Sequence, residues 1–244
     1  MEELKAVILA AGKGTRMESD KPKVVHTIAD KPMVEYVIGA VKQAGIHEIC
    51  LVVGYKAQEV KEAVTSKVSY ALQKEQLGTG DAVKCAADFL GESGEVLVLC
   101  GDTPLITAKT LKEAMDYHQE SKNQMTVLSA IVDNPDGYGR IIRDEAGNFV
   151  KNVEHKDATE EERKSHEVNS GMYIFSVKDL QSALGKITND NAQGEYYLPD
   201  TLEIIKKEGG RVGAYVLEDS DEMSGVNTKA QLANVAEIMR KRGK

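Results

Sequence analysis

The chain alternates short apolar runs with stretches of amphipathic periodicity. Ala6-Val7-Ile8-Leu9 is uninterrupted and β-branched at its centre, the pattern of a strand buried on both faces of a parallel sheet. Gly12 and Gly14 end it. Pro32 suits a first helical turn, where a missing N–H costs nothing, and Met33, Val34, Val37, Ile38 and Val41 then recur at helical spacing until Gly45. Further periodicity predicts a buried strand over 49–53, helices over 57–64 and 79–89, and a strand over 96–100.

Such β and α units in turn predict an α/β fold with a doubly wound, mostly parallel sheet. The middle of the chain changes character. Tyr138-Gly139-Arg140-Ile141-Ile142 and Gly147-Asn148-Phe149-Val150 read as two strands joined by the turn Asp144-Glu145-Ala146-Gly147, an inserted β-hairpin lid. The charge run Glu160-Glu161-Glu162-Arg163-Lys164 reads as a solvated loop or short helix. A buried strand resumes over 172–175, and 228–242 reads as a closing amphipathic helix. The domain organisation expected is one catalytic unit with an inserted substrate-binding part and no linker.

Charge and cysteine content narrow the function classes. The 31 basic and 39 acidic residues give a net charge of -8, which argues against gripping nucleic acid by counterion release. A local cluster of Lys and Arg can still bind phosphates, because nearby charges make a site and the sum does not. Cys50, Cys85 and Cys100 form no CxxC pair, so core packing is their expected role rather than zinc or a disulfide framework. No apolar run approaches the ~20 residues that span a bilayer, and 6–11 is too short for a signal peptide, so a soluble cytoplasmic protein is expected.

The segment richest in chemistry is Leu9-Ala10-Ala11-Gly12-Lys13-Gly14-Thr15-Arg16-Met17, followed by Lys21-Pro22-Lys23. Small residues after a parallel strand let backbone N–H groups approach a ligand at the carboxyl end of the sheet, where doubly wound folds bind ligands. Lys13, Arg16 and Lys23 add cationic donors, so the segment describes a triphosphate cradle. It matches neither GxGxxG, since Met17 stands where the third glycine belongs, nor the Walker A pattern. Taken alone, these residues could also form a plain glycine turn among solvated charges.

Eight ordered motifs decide between these readings: LAAGKGTRM at Leu9, QLGTGDA at Gln76, CGDTPLI at Cys100, GYGRI at Gly137, VEHKDAT at Val153, NSGMYIF at Asn169, NAQGEYYLPD at Asn191 and GVNT at Gly225. With them the chain resembles, over nearly its whole length, the N-terminal domain of bacterial N-acetylglucosamine-1-phosphate uridyltransferases, which have a Rossmann-like nucleotidyltransferase fold. The resemblance implies a Mg²⁺-dependent transfer: UTP and N-acetylglucosamine 1-phosphate give UDP-N-acetylglucosamine and pyrophosphate, for cell-wall synthesis.

The resemblance also implies roles for individual residues. Leu9, Ala10, Ala11, Gly12 and Gly101 line the nucleotide site, and Arg16 and Lys23 carry catalytic charge. Gln73 with Gly78 and Thr79 holds the uracil, a task suited to an amide that offers both a donor and an acceptor. Gly139, Glu154 and Asn169 hold the sugar, and Asp102 and Asn227 bind the magnesium. On local sequence alone, Gly78 and Gly80 could simply cap a helix, Asp102 reads as a cap or turn residue after a strand, and Glu154 reads as surface. Tyr196 and Tyr197 are expected in packing or the lid.

The transferase domain is expected over 1–228, with 229–244 a helix leading toward a left-handed β-helix in full-length relatives. That part carries their acetyltransferase activity and trimer contacts, neither of which is expected of this chain. A nucleotidyltransferase of other specificity and a non-catalytic nucleotide-sugar sensor are the two alternatives.

Overall fold

The computed structural model describes residues 4–191 and 193–243; Ala192, within the NAQGEYYLPD motif, lies outside them. The chain opens with β1 (Leu4–Ala10), a small ribbon of β2 (Thr27–Ile28) and β3 (Lys31–Pro32), and α1 (Met33–Gln43). There follow β4 (Glu48–Val53), α2 (Ala57–Ala63), β5 (Ser69–Leu72), α3 (Thr79–Lys84), α4 (Ala87–Leu90), β6 (Glu95–Cys100) and α5 (Ala108–Glu120). The second half contains β7 (Met125–Ile131), β8 (Arg140–Arg143), β9 (Phe149–Val153) and β10 (Glu167–Ser176). It closes with α6 (Val177–Leu184), α7 (Asp200–Lys207), β11 (Val212–Val216) and α8 (Lys229–Lys241).

The main sheet runs β11-β7-β10-β6-β1-β4-β5. Parallel ladders join β1 to β4 and β6, β4 to β5, and β7 to β11; β10 alone runs against its neighbours β6 and β7. The sheet is therefore mostly parallel, as the apolar runs predict. Ala6, Ile8 and Ala10 of β1 face one core with Val37, Ile38 and Val41 of α1, while Val7 faces the other with Val98, Leu180 and Phe175. Burial on both faces is why the run carries no polar residue.

The hairpin expectation holds: β8 pairs antiparallel with β9, and Asp144 Oδ1 accepts the N–H groups of Ala146 and Asn148 to close the turn. Arg140 pairs with Val168, joining the hairpin to β10. Three sequence expectations are revised. The predicted helix over 79–89 is two helices broken after Lys84; Pro32 precedes α1 and belongs to the β3 ribbon; and the strand at 172–175 is the end of the longer β10. The sequence reading also left β5, β7, β11, α5, α6 and α7 unassigned. The charge run forms a short 3-10 turn at Glu162–Lys164.

Helix α8 buries Val235 and Met239 against Met17, Met33 and Val226, and the Thr228 hydroxyl caps it by accepting the Gln231 N–H at 3.2 Å. Among the described residues no helix is long and apolar enough to cross a membrane.

A buried histidine gives the fold a pH dependence. His118 is 2 % exposed on α5 and meets Thr126 Oγ1 through Nδ1 at 2.8 Å. Burial pushes its imidazole down to about 4, although Glu95 lies 3.8 Å from Nε2. In the unfolded chain the ring takes its proton near 6.5, so stability present above that pH is lost as pH falls from 6.5 toward 4. The full loss is ~3 kcal/mol. Denaturant unfolding of wild type and His118→Gln across pH 4–7 checks this: the variant is expected to lose less stability on acidification, and equal slopes would assign the acid sensitivity elsewhere.

Candidate active site

Strand β1 ends into the glycine loop, and the cleft opens at that end of the sheet. One cavity is lined by Leu9, Ala10, Ala11 and Gly12 from this loop, by Gln73, Gly78 and Thr79 from the segment after β5, and by Lys23 and Asp102. A second cavity shares Leu9, Thr79 and Cys100 with it and adds Gly139, Glu154 and Asn169. The structure thus brings twelve predicted positions into two adjoining hollows. Gly101 sits behind them, buried, with its N–H donating to the Leu9 carbonyl at 2.9 Å.

Lysine 23 crosses the mouth of the first hollow because Gly14 lets it. Gly14 has φ +67°, and a Cβ there would fall 2.5 Å from the Lys23 Cβ. The Lys23 ammonium bonds the Asp102 carboxylate and donates to Asn227 Oδ1 at 3.0 Å. Asn227 reaches this point because the Val226 N–H donates to the Asp102 carbonyl at 2.9 Å, bringing a residue from the middle of the chain and one from near its end side by side.

One carboxylate and one amide oxygen thus converge on a cation, which suits a hard metal ion such as magnesium. Magnesium commonly takes one or two protein oxygens and completes its shell with water and substrate phosphates. Among the described residues no cluster of three or more His, Cys, Asp or Glu forms a metal site, so a zinc-like cage is not offered.

Arg16 stands apart from the other predicted positions. It lies exposed on the 3-10 turn Thr15–Met17, whose buried anchor is Met17, and it does not line either cavity. Lys13 also points outward, 5.5 Å from the Tyr55 ring centre.

The turn after β5 is built by close backbone approach. Gly78 has φ +111°, and a Cβ there would fall 2.5 Å from the Tyr196 carbonyl oxygen. Tyr196 donates its N–H to the Leu77 carbonyl at 2.7 Å and accepts from the Gly80 N–H at 2.8 Å. Tyr196 therefore acts as a strap that holds the turn, in keeping with its expected packing role. Gly78 is needed for this approach and also stands at the N-cap of α3, the helix-cap position that the local sequence allowed.

At the lid end, the Gly139 carbonyl accepts the Asn169 N–H at 2.9 Å. A bulge between Asn169 and Met172 turns the Asn169 side chain toward the Tyr173 hydroxyl at 2.9 Å and the Gly171 N–H at 2.9 Å. Glu154 is exposed in the same hollow, with Asn152 donating to Oε1 at 3.3 Å. Arg140, 1 % exposed, bonds the Tyr138 carbonyl and reaches His155 Nδ1 at 3.4 Å, clamping the neighbours of both Gly139 and Glu154.

Sequence reasoning did not single out Gln76, Cys100 or Glu195, all of which line the first cavity. All three lie inside quoted motifs, which was the available signal. Burial, with Asp102 nearby, pushes the Cys100 thiol up to about 12, so it stays protonated and contributes shape rather than a nucleophile.

The family model for nucleotidyl transferases matches residues 5–222. The chain is 53 % identical over 242 residues to the bifunctional protein GlmU of Thermoanaerobacter pseudethanolicus, covering 99 % of this chain and 53 % of that protein. It is 54 % identical to the bifunctional protein GlmU of Caldanaerobacter subterraneus subsp. tengcongensis, with the same coverage. The chain thus spans about half the length of the curated relatives it matches. A solved UDP-glucose pyrophosphorylase complexed with UDP-glucose superposes with a TM-score of 0.79 at 20 % identity, covering 99 % of this chain and 100 % of that one, a likeness of fold.

Proposed function

The chain belongs to the nucleotidyl transferase family, and we propose that it transfers a uridylyl group from UTP to N-acetylglucosamine 1-phosphate, giving UDP-N-acetylglucosamine and pyrophosphate. The observation that carries this reading is the shared cleft: a glycine loop, an amide-lined pocket and a cation position at Asp102 and Asn227 meet next to a polar hollow under the hairpin.

In the proposed reaction a phosphate oxygen of the sugar phosphate attacks the α-phosphorus of UTP in line. The bond from that phosphorus to the bridging oxygen breaks, and pyrophosphate leaves with the electron pair. No protein nucleophile is needed, and the attacking phosphate, with a second pKa of about 6, is largely ionised without a general base. The protein's task is positioning and charge stabilisation.

The backbone over 9–12 cradles the triphosphate, and Gln73, Gly78 and Thr79 hold the base. Lys23 neutralises phosphate charge at the mouth of the cavity, and Arg16, exposed beside the loop, is assigned to the outer phosphates. Gly139, Glu154 and Asn169 receive the sugar hydroxyls and the acetamido group. Asp102 and Asn227 would hold magnesium, which when bound supplies charge stabilisation to the phosphates. The transfer is assigned to residues 1–228, with 229–244 a C-terminal segment that begins with α8 (Lys229–Lys241), and the proposed compartment is the cytoplasm. The product fits use as a cell-wall precursor.

The division of the cleft into a nucleotide end and a sugar end is tested by Glu154→Ala. Losing a carboxylate that faces neutral hydroxyls is expected to raise KM for the sugar phosphate about 10-fold or more, through loss of a charge-assisted hydrogen bond, with KM for UTP nearly unchanged. A change confined to UTP would overturn the division.

A further inference from the structure

The Gln73 amide is held by its surroundings in one orientation. Gln73 is 3 % exposed, and its backbone N–H donates to the Val53 carbonyl at 2.8 Å, tying it to the sheet. Its side-chain nitrogen donates to the Gly78 carbonyl at 3.0 Å and to Asp81 Oδ2 at 2.8 Å. A carbonyl and a carboxylate both accept, so both hold the nitrogen end, and a flipped amide would set oxygen against oxygen twice. Both amide hydrogens are thereby used. The Gln73 oxygen takes no hydrogen bond from any described residue, and the residue lines the cavity.

An unpartnered acceptor on a locked amide selects a ligand by its donor pattern. The imide N–H at N3 of uracil or thymine matches it. The bare ring nitrogen at N3 of cytosine is itself an acceptor and sets two lone pairs against each other. The second bond that locks the amide comes from Asp81, on the first turn of α3.

We propose that Asp81 is a specificity-determining positioning residue: it holds the Gln73 amide with its oxygen toward the ligand and so selects nucleotides with an imide N–H over cytosine nucleotides. This rests on the uridylyl-transfer reading and adds to it the side chain that sets base choice without touching the base. Asp81→Asn keeps the shape but can turn its own NH₂ toward Gln73. That removes one of the two oxygen–oxygen contacts that oppose the flipped amide, the Gly78 carbonyl keeping the other, and the flipped amide offers a donor where cytosine has an acceptor. Asp81→Ala removes the second bond outright.

The test is equilibrium binding of UTP and of CTP, without sugar phosphate, to wild type, Asp81→Asn and Asp81→Ala, with the melting temperature measured in parallel. Wild type is expected to favour UTP by about 100-fold, in the range a good base contact provides. Both variants are expected to narrow that ratio about 10-fold, with CTP affinity rising in Asp81→Asn. An unchanged ratio, or equal loss of both nucleotides with a lowered melting temperature as a purely structural acid would give, overturns the proposal while leaving uridylyl transfer intact. Folded wild type that binds neither nucleotide overturns the uridylyl-transfer reading and this inference together.

Discussion

Asp102→Ala is expected to lower turnover by about three orders of magnitude, with the melting temperature changed little. Asp102 and Asn227 offer the cation position of the cleft, and the Lys23 ammonium bonds both. Removing the carboxylate leaves one neutral oxygen to hold a divalent ion and frees Lys23 from its partner. The loss of a preorganised electrostatic contact to the reacting phosphates is worth ~3–4 kcal/mol, and metal-mediated stabilisation adds to it. Stability is spared because Lys23 keeps its bond to Asn227 Oδ1 and lines the cavity, where water can replace the lost carboxylate. Steady-state pyrophosphate release at saturating UTP and sugar phosphate, with Mg²⁺ titrated, measures the loss. A variant with near-normal rate would remove Asp102 from the metal position.

The second large effect falls on stability. Gly78→Ala puts a side chain at φ +111°, with its Cβ 2.5 Å from the Tyr196 carbonyl oxygen and 2.8 Å from its nitrogen. Backbone cannot yield as a flexible side chain does, so the strap formed by Leu77, Gly80 and Tyr196 must open. Left-handed strain and the loss of two backbone hydrogen bonds together cost ~3 kcal/mol. For a chain of this size that corresponds to a melting temperature lower by about 6–12 °C. Because the Gly78 carbonyl also holds the Gln73 amide, UTP affinity is expected to fall with it. Differential scanning calorimetry and UTP titration of the variant check both; unchanged values in both would mean the strap does not support the base pocket.

How much of this was legible in the sequence depended on what each strand buries. β1, β4 and β6 bury both faces, so their apolar runs were visible as they stand. β7 is equally buried but carries Thr126 and Ser129 inside the core. Thr126 meets His118 and Asn123, and Ser129 donates to Glu167 and the Tyr215 carbonyl. Buried hydroxyls satisfied by distant partners break the apolar pattern, and no local rule reveals them. In β10, Asn169-Ser170-Gly171 reads as loop because the bulge that accommodates them depends on pairing with β7. The break after Lys84 has no Gly or Pro to mark it.

The candidate site divides along the same line. The glycine loop announces its chemistry because small residues and cations are contiguous there. The meeting of Asp102 with Asn227 depends on a hydrogen bond from Val226, across about half of the chain, and only family resemblance anticipated it. Contiguity does not reveal exposure: Arg16, a cation beside the loop in sequence, faces solvent in the fold, since the turn gives its buried position to Met17.

The central claim is that this cleft joins UTP to N-acetylglucosamine 1-phosphate. Pyrophosphate release from the two substrates with Mg²⁺, repeated with glucose 1-phosphate and with dTTP as replacements, tests it most directly. Release that needs UTP, the N-acetylated sugar phosphate and the metal together is the predicted result. Release only with a replacement substrate would keep the fold and contradict the specificity. No release in any combination, from folded protein that still binds UTP, would contradict catalysis and leave a nucleotide-sugar sensor.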